Sequence, residues 1–549
     1  MITRMPRLRV LLPLVLSAAC LTSLAATQAA PQGAPVDSIS ASGLERRLRF
    51  IASDALEGRE SLSPGFRAAA EYLVSELTVL GLTPRGDDGS FLQRVTMRRA
   101  SIDERATKVE IDGRAFSYGD DLLATGNGTA EGRLVYVGHG WRIPGRSIDP
   151  FEGVDVKDAL LLVLSGLPRG VAQRDIDALV RERDYFTPSD NARALGARGL
   201  IVVPTFEDLA AWARTRERQS GRGALVVDRL AEPLDLPAVT ASPRLLTSLM
   251  RGEKESGARL HERAGTGDAG ASYALTATKR VRLVVNSTVT REDTFNVVAS
   301  VEGRDPVRRD EFVALGAHLD HIGLRAARPD GTASARRPAA GDDIINNGAD
   351  DDGSGVVALV EIAGALVRAP RPARSVIFVW HTGEEAGGWG SKYFTAFPPV
   401  PLANIVAQIN LDMVGRSRKP NDAGNARLTG ADEVYLVGAR RVSRQLGDTI
   451  ERVNRAYLNL TLNPAHDDPG DPERIYERSD HYEYAKHGIP VAFFFSGLHE
   501  DYHRVSDEVE QIDFVKLQKV ARTVLAATWA IAEASERPAI DSPARDTRE

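Results

Sequence analysis

The sequence predicts an α/β protein with a mixed, mostly parallel central sheet flanked by helices, and a smaller α/β unit inserted ahead of it. Three observations predict it. From about residue 281, short apolar runs read as strands: "RVRLVVNSTV", "TFNVVASVEG", "EFVALGAHLDH", "RSVIFVWHTG", "NIVAQINLDMVG" and "GIPVAFFFSG". Helical patterns separate several of them, and the runs are nearly continuous in apolar residues, as strands buried on both faces are. Between about residues 125 and 250 a second block repeats the texture on a smaller scale.

In chain order, residues 1–30 come first. Arg4, Arg7 and Arg9 precede an apolar stretch from Val10 to about Ala26, then small residues and Pro31. That is a secretory signal peptide, with cleavage expected near Ala29 or Ala30. Its apolar core falls short of the ~20 residues that span a bilayer, and no later segment is apolar enough to span. The expectation is a periplasmic or secreted bacterial protein with no stable membrane insertion once the signal is removed. Cys20, the only cysteine, lies within the signal, so the mature chain has no disulfide. Leu16 stands one position too far from Cys20 for the usual lipidation pattern.

Residues 37–124 begin with helices. "SISASGLERRLRFIASDALEGR" has apolar residues at helical spacing. In "PGFRAAAEYLVSELTVLGL", Ala68, Tyr72, Leu73, Leu77 and Leu80 fall on one stripe, and Gly81 supplies a stop. In the block 125–250, "GRLVYVGHGW" and "DALLLVLSG" read as buried strands, and "DNARALGARGLIVVPT" as a helix followed by a strand. The polar, Gly-rich stretch 251–280 reads as a linker. The main sheet occupies 281–535, and 536–549 reads as a flexible tail.

The net charge of −6, without a basic stripe, argues against a nucleic-acid partner. In open α/β sheets, ligands collect beyond the carboxyl ends of strands, and that is where the chemistry-bearing residues lie. His318, Asp320 and His321 follow "EFVALGA". His318 and Asp320 point to one side of an extended strand, which places Asp320 to accept the second ring N–H of a ligating His318. Asp350, Asp351 and Asp352 stand in a turn before Gly-Ser-Gly and an apolar helix. A helix dipole offers each carboxylate only ~0.3–1 kcal/mol; a divalent cation, or a pair, offers more. Glu384 and Glu385 follow "RSVIFVW", so one carboxylate can bind metal while its neighbour holds a proton. Asp412, enclosed by apolar residues, needs a partner. Tyr502 and His503 close the series: Tyr502 is placed to donate to an oxyanion, and Asp507 to orient His503. Two histidines and three carboxylates suit a pair of zinc ions roughly 3.5–4 Å apart, bridged by one carboxylate.

The motifs "GAHLDH", "GADDDGSG", "GEE", "NLDMVG" and "YHRVSDEVEQID", with "SDHYEYAKHGIPVAFFF", resemble the M28 family of zinc-dependent exopeptidases, which includes secreted bacterial aminopeptidases. The resemblance covers about 281–535 and extends to the early helices. The insert looks like a protease-associated (PA) domain. The resemblance implies a zinc exopeptidase fold with two zinc ions: His318 and Asp412 bind one, Glu385 and His503 the other, and Asp351 bridges. Asp350 stands where the family's usual "NDDGSG" has Asn. It further implies Glu384 as general base and acid, Asp320 as the carboxylate behind His318, and Tyr502 as an oxyanion donor. A zinc-activated water would then cleave the N-terminal residue from peptide substrates. The alternatives are a carboxypeptidase or dipeptidase of the same fold, a one-zinc glutaminyl cyclase, and a non-catalytic binding protein. The insert is a candidate lid, substrate-selecting wall or homodimer surface. His321 receives no role. His139, His261, His381, His466, His481, His487 and His499 read as structural or surface histidines.

Overall fold

The computed structural model describes residues 34–177, 179, 181–276, 279–325, 341–419 and 427–541. The expected signal peptide, Cys20 included, lies outside the described residues. Among those described, no helix is long and apolar enough to cross a membrane.

The core is a ten-stranded sheet. Its principal strands are β1 (Leu92–Ile102), β2 (Ser287–Val301), β3 (Phe312–His318), β4 (Ser375–His381), β5 (Ile405–Leu411), β6 (Glu433–Val437) and β7 (Val491–Phe495). They lie in the order β1-β2-β4-β3-β5-β7-β6. The central strands β4, β3, β5 and β7 are mutually parallel, and the antiparallel pairs β1/β2, β2/β4 and β6/β7 flank them. Every residue of β3, β4, β5 and β7 is buried. Alternate side chains go to opposite faces. Val313, Leu315 and Ala317 join one core with Phe378 and Trp380, whereas Phe312 and Ala314 join another with Ile377 and Val379.

Helices α1 (Ala41–Ile51), α2 (Pro64–Leu80), α3 (Gly355–Arg368) and α6 (Phe514–Glu533) cover the first face. The short helices α4 (Trp389–Ala396) and α5 (His481–Lys486) pack on the second through Phe394 and Tyr484. Ser40 caps α1 by accepting the Gly43 N–H, and Ser63 caps α2 by accepting the Phe66 N–H. Gly81 ends α2 in the left-handed conformation, as its sequence position suggested. The buried face of α2 is Phe66, Ala69, Ala70, Leu73 and Leu77. Ala68, Tyr72 and Leu80 of the expected stripe lie half-buried at its margin.

The insert is larger than expected. A four-stranded sheet pairs Lys108–Ile111 with Arg114–Ser117 and Val281–Val285, and Val281–Val285 also pairs with Gly128–Gly132. Residues 281–285, read as the start of the main sheet, thus belong to the insert. The supposed linker 251–280 contains the helix Gly257–Thr266, with Leu260, His261 and Ala264 buried, and the strand Tyr273–Ala274 on the edge of a six-stranded sheet. Its polar composition concealed one narrow apolar stripe. In the other direction, Ala224–Val227 leaves the insert and pairs with β1 of the main sheet. Nor is the tail free over its first residues: Asp541 donates its N–H to Val442 O, and Arg537 pairs with Glu311.

Candidate metal centre

His318 is the last residue of β3, which runs between β4 and β5, and its ring is buried. Its Nδ1 lies 3.0 Å from the Asp320 carbonyl oxygen. A carbonyl only accepts, so Nδ1 carries a proton, and Nε2 is the ring nitrogen turned to the carboxylates. That nitrogen is 3.2 Å from Asp351 Oδ1 and 3.6 Å from Asp412 Oδ1. The second ring nitrogen therefore meets the backbone of Asp320, not the carboxylate expected from sequence. The turn after β3 sends the Asp320 side chain elsewhere, where Oδ1 accepts the Glu384 N–H at 3.2 Å. Burial, the main influence, pushes the Asp320 carboxyl up to about 7.

The three adjacent aspartates point in three directions. Asp352 caps the chain reversal: its oxygens accept the N–H groups of Gly355, Met413 and His318. Asp350 accepts the Gly415 N–H and faces His499 Nε2 at 3.4 Å. Asp351 alone faces the cavity. The non-helical backbone at Asp351 and Asp352 separates their side chains. From behind, the fully buried Arg59 donates to the carbonyls of Ile51, Leu319, Asn347 and Gly348. Asp507, expected beside His503, instead accepts the N–H groups of Asp350 and Asp351. Two unsatisfied donors in the tight turn attract it there.

Asp412 follows β5, and its Oδ2 accepts a 2.7 Å hydrogen bond from Ser479 Oγ, itself held by Asn410. That leaves Oδ1 for His318. On the other side of Asp351, His503 Nε2 lies 3.2 Å from Asp351 Oδ2 and 2.9 Å from Glu385 Oε2. His321, to which the sequence assigned nothing, places Nδ1 2.7 Å from Glu385 Oε1 and 3.8 Å from Asp351 Oδ2. Its signal was its place three residues after His318 at the same strand end. Met413 and His503 both adopt the left-handed backbone, a strained state that gathers at functional sites.

His318, Asp351 and Asp412 thus form one potential ligand group, and His321, Asp351 and Glu385 a second, sharing Asp351. The donor set fits a cation. Asp351 Oδ2 is buried without a well-formed hydrogen bond. Metal–ligand bonds of ~2.0–2.2 Å in tetrahedral geometry put neighbouring ligand atoms roughly 3.3–3.6 Å apart. The His318 and His503 contacts to Asp351 are close to that spacing, whereas 2.7 Å between His321 and Glu385 and 2.9 Å between His503 and Glu385 are hydrogen-bond lengths. The protonation equilibria agree. Burial works against a charged His503, yet the close Asp351 and Glu385 carboxylates prevail and raise its pKa to about 10. Burial also raises the Asp412 carboxyl, against the pull of His318. Buried carboxylates and imidazoles gathered in this way favour added positive charge among them.

Glu384 lines the same cavity as His318, Asp351, Asp412 and Tyr502. Burial raises its carboxyl well above the ordinary range, although His318 opposes the shift. Tyr502 stacks on His503 with ring centroids 3.8 Å apart, and its hydroxyl lies 3.4 Å from Arg478 Nη2. Met413, Ile475, Phe493, Phe495 and Leu498 complete an apolar wall. The histidines read as structural lie apart from both ligand groups. His381, for example, sits 3.3 Å from the Tyr484 hydroxyl, and His261 contacts the Pro204 carbonyl.

Fold and site define a mixed α/β protein with a buried histidine–carboxylate centre in which two ligand groups share one aspartate. Residues 296–528 match the profile of Peptidase family M28. It is 28% identical over 242 residues to leucine aminopeptidase 1 of Penicillium rubens, covering 42% of this chain and 56% of that protein. It is 26% identical over 247 residues to leucine aminopeptidase 1 of Paracoccidioides brasiliensis, covering 43% and 55%. The chain thus spans about half the length of these relatives. Among solved structures it is similar to an aminopeptidase from Aneurinibacillus sp. strain AM-1, at 18% identity and a TM-score of 0.43, covering 92% of this chain and 97% of that one. The zinc aminopeptidase BSAP of Bacillus subtilis gives 17% and 0.42, covering 92% and 98%.

Proposed function

We propose that this protein is an exported di-zinc aminopeptidase that removes N-terminal residues from peptides, with a protease-associated domain as its insert. The observation that carries the reading is Asp351, whose two oxygens face His318 and His503 at 3.2 Å each, the disposition of a bridging ligand. Mixed nitrogen and oxygen donors suit zinc. His318 and Asp412 would hold one ion and His503 and Glu385 the other. Bound zinc supplies a Lewis acid and lowers the pKa of a coordinated water.

The chain's own groups supply the rest. Glu384 takes a proton from the attacking water and returns it to the leaving amine. The Tyr502 hydroxyl donates to the oxyanion. Ser479 fixes Asp412, and the Asp320 carbonyl fixes the His318 tautomer. The apolar wall from Met413 to Leu498 suits an aliphatic or aromatic side chain at the substrate's first residue. The names of the relatives point the same way, as leucine aminopeptidases. Export rests on the Arg-flanked apolar N-terminus.

The test is incubation of the zinc-loaded protein with peptides carrying free or acetylated N-termini and free or amidated C-termini, followed by mass spectrometry. Stepwise loss from free N-termini, blocked by acetylation, is expected. Loss from free C-termini makes it a carboxypeptidase, and no cleavage removes the reading.

A further inference from the structure

Beyond the metal centre the surface holds a second hollow of about 420 Å³, lined by Asp320, His321 and Glu385 on one side and by Arg99 and Leu225 on the other. Glu60 and Glu292 also line it, so this end is acidic. Arg99 and Leu225 are shared with a much larger cavity of about 1090 Å³ between β1 and the insert. Five arginines line that cavity: Arg98, Arg99, Arg193, Arg214 and Arg218. Arg98 is paired with Asp228, and Arg193 with Glu232 and Asp235. Arg214 and Arg218 have no ion-pair partner among the described residues. They come from the insert helix Trp212–Glu217 and the turn that follows. Glu217 and Glu232 are the acidic groups on the wall, so its balance is positive.

The separation follows from the strand register. Thr294 Oγ1 lies 2.6 Å from Thr382 Oγ1, two residues before Glu384, and Thr294 is opposite Val95. Arg99 is four residues farther along β1, about 14 Å at ~3.4 Å per residue. A peptide extended from the metal centre would spend roughly four residues reaching Arg99 and more to pass it.

We propose that the two hollows form one extended substrate groove, in which the peptide downstream of the scissile bond runs past Arg99 and its terminal carboxylate settles among Arg99, Arg214 and Arg218. This deepens the aminopeptidase reading and rests on it. The groove is acidic where the substrate's ammonium group arrives and basic where its carboxylate ends, so its charges orient a zwitterionic peptide. The insert is then a wall that selects peptides of about six to eight residues.

The test compares leucyl peptides of four and eight residues, each as free acid and as C-terminal amide, with the wild-type protein and the Arg214→Glu/Arg218→Glu double variant. Both side chains are exposed, which favours normal folding. The wild-type protein is expected to cleave the octapeptide acid about five- to tenfold better than its amide in kcat/KM, with a ratio near one for the tetrapeptides. The double variant is expected to lose the octapeptide preference. Fluorescence anisotropy with a labelled, N-acetylated octapeptide acid reads the groove without cleavage, and the double variant is expected to bind it at least fivefold more weakly. Equal rates on octapeptide acid and amide, or unchanged binding by the variant, overturn the groove and leave the aminopeptidase reading standing. Failure to cleave any peptide, with binding still sensitive to the two arginines, overturns the aminopeptidase reading instead.

Discussion

The most discriminating perturbation lies at the second ligand group, where His503 and His321 grip opposite oxygens of Glu385. The ligand roles proposed above assign them different work. His503 Nε2 is within 3.2 Å of both Asp351 and Glu385, so one ion can touch all three groups. In that arrangement His321, whose Nδ1 is 2.7 Å from Glu385 and 3.8 Å from Asp351, donates a hydrogen bond that orients the glutamate. Losing such an outer partner typically costs 10–100-fold in metal affinity, about 1.4–2.7 kcal/mol. Losing a direct ligand abolishes the site. His321→Ala is therefore expected to retain two zinc ions per chain at saturating zinc, with the weaker one loosened within that range. His503→Ala is expected to retain one. Chelator-competition titration gives the affinities, and elemental analysis of the dialysed protein gives the count. If His321→Ala lost an ion outright while His503→Ala kept two, the distance argument would be refuted and the ligand roles exchanged.

Three further outcomes follow from the same geometry. Glu384→Gln keeps the shape and removes the proton acceptor, so kcat should fall by roughly 10²–10⁴ with the zinc count unchanged; a fall below tenfold would remove its role as base. Gly355→Ala sets a Cβ 2.4 Å from both Asp352 Oδ1 and the Leu411 carbonyl, displacing the carboxylate that holds the His318 and Met413 N–H groups. Zinc occupancy should drop with little change in far-ultraviolet circular dichroism, and full occupancy would contradict this. Arg59→Met removes a buried cation from a set of carbonyls, and a loss of about 3 kcal/mol or more in denaturant stability is expected; a change under 1 kcal/mol would show that water replaces the guanidinium.

Much of the site was legible because an α/β sheet places chemistry where apolar strands end. His318, Glu384 and Asp412 each follow such a run, and the structure brings all three to one cavity. What misled the reading was local. Asp320 lies two residues from His318, yet the chain turns after β3 and offers its carbonyl to the ring. His321 looked redundant because nothing in "HLDH" reveals that Glu385, 64 residues later, comes within 2.7 Å. Asp507 looked like a partner for His503, but it accepts the N–H groups of the aspartate turn instead.

By itself, the sequence determined strands β2, β3, β4, β5 and β7, the helix stop at Gly81, and the residue types at the strand ends. Apolar periodicity, capping and turn chemistry are properties of contiguous residues, and twenty neighbours suffice to express them. Only the tertiary structure decided which of three adjacent aspartates faces the site, which histidine touches both Asp351 and Glu385, and where the insert begins and ends. Those depend on pairings such as Val281–Val285 with Lys108–Ile111, and on a strand order that seats β3 between β4 and β5. Contacts between residues so far apart in the chain follow from how the whole sheet packs, and no local pattern encodes them.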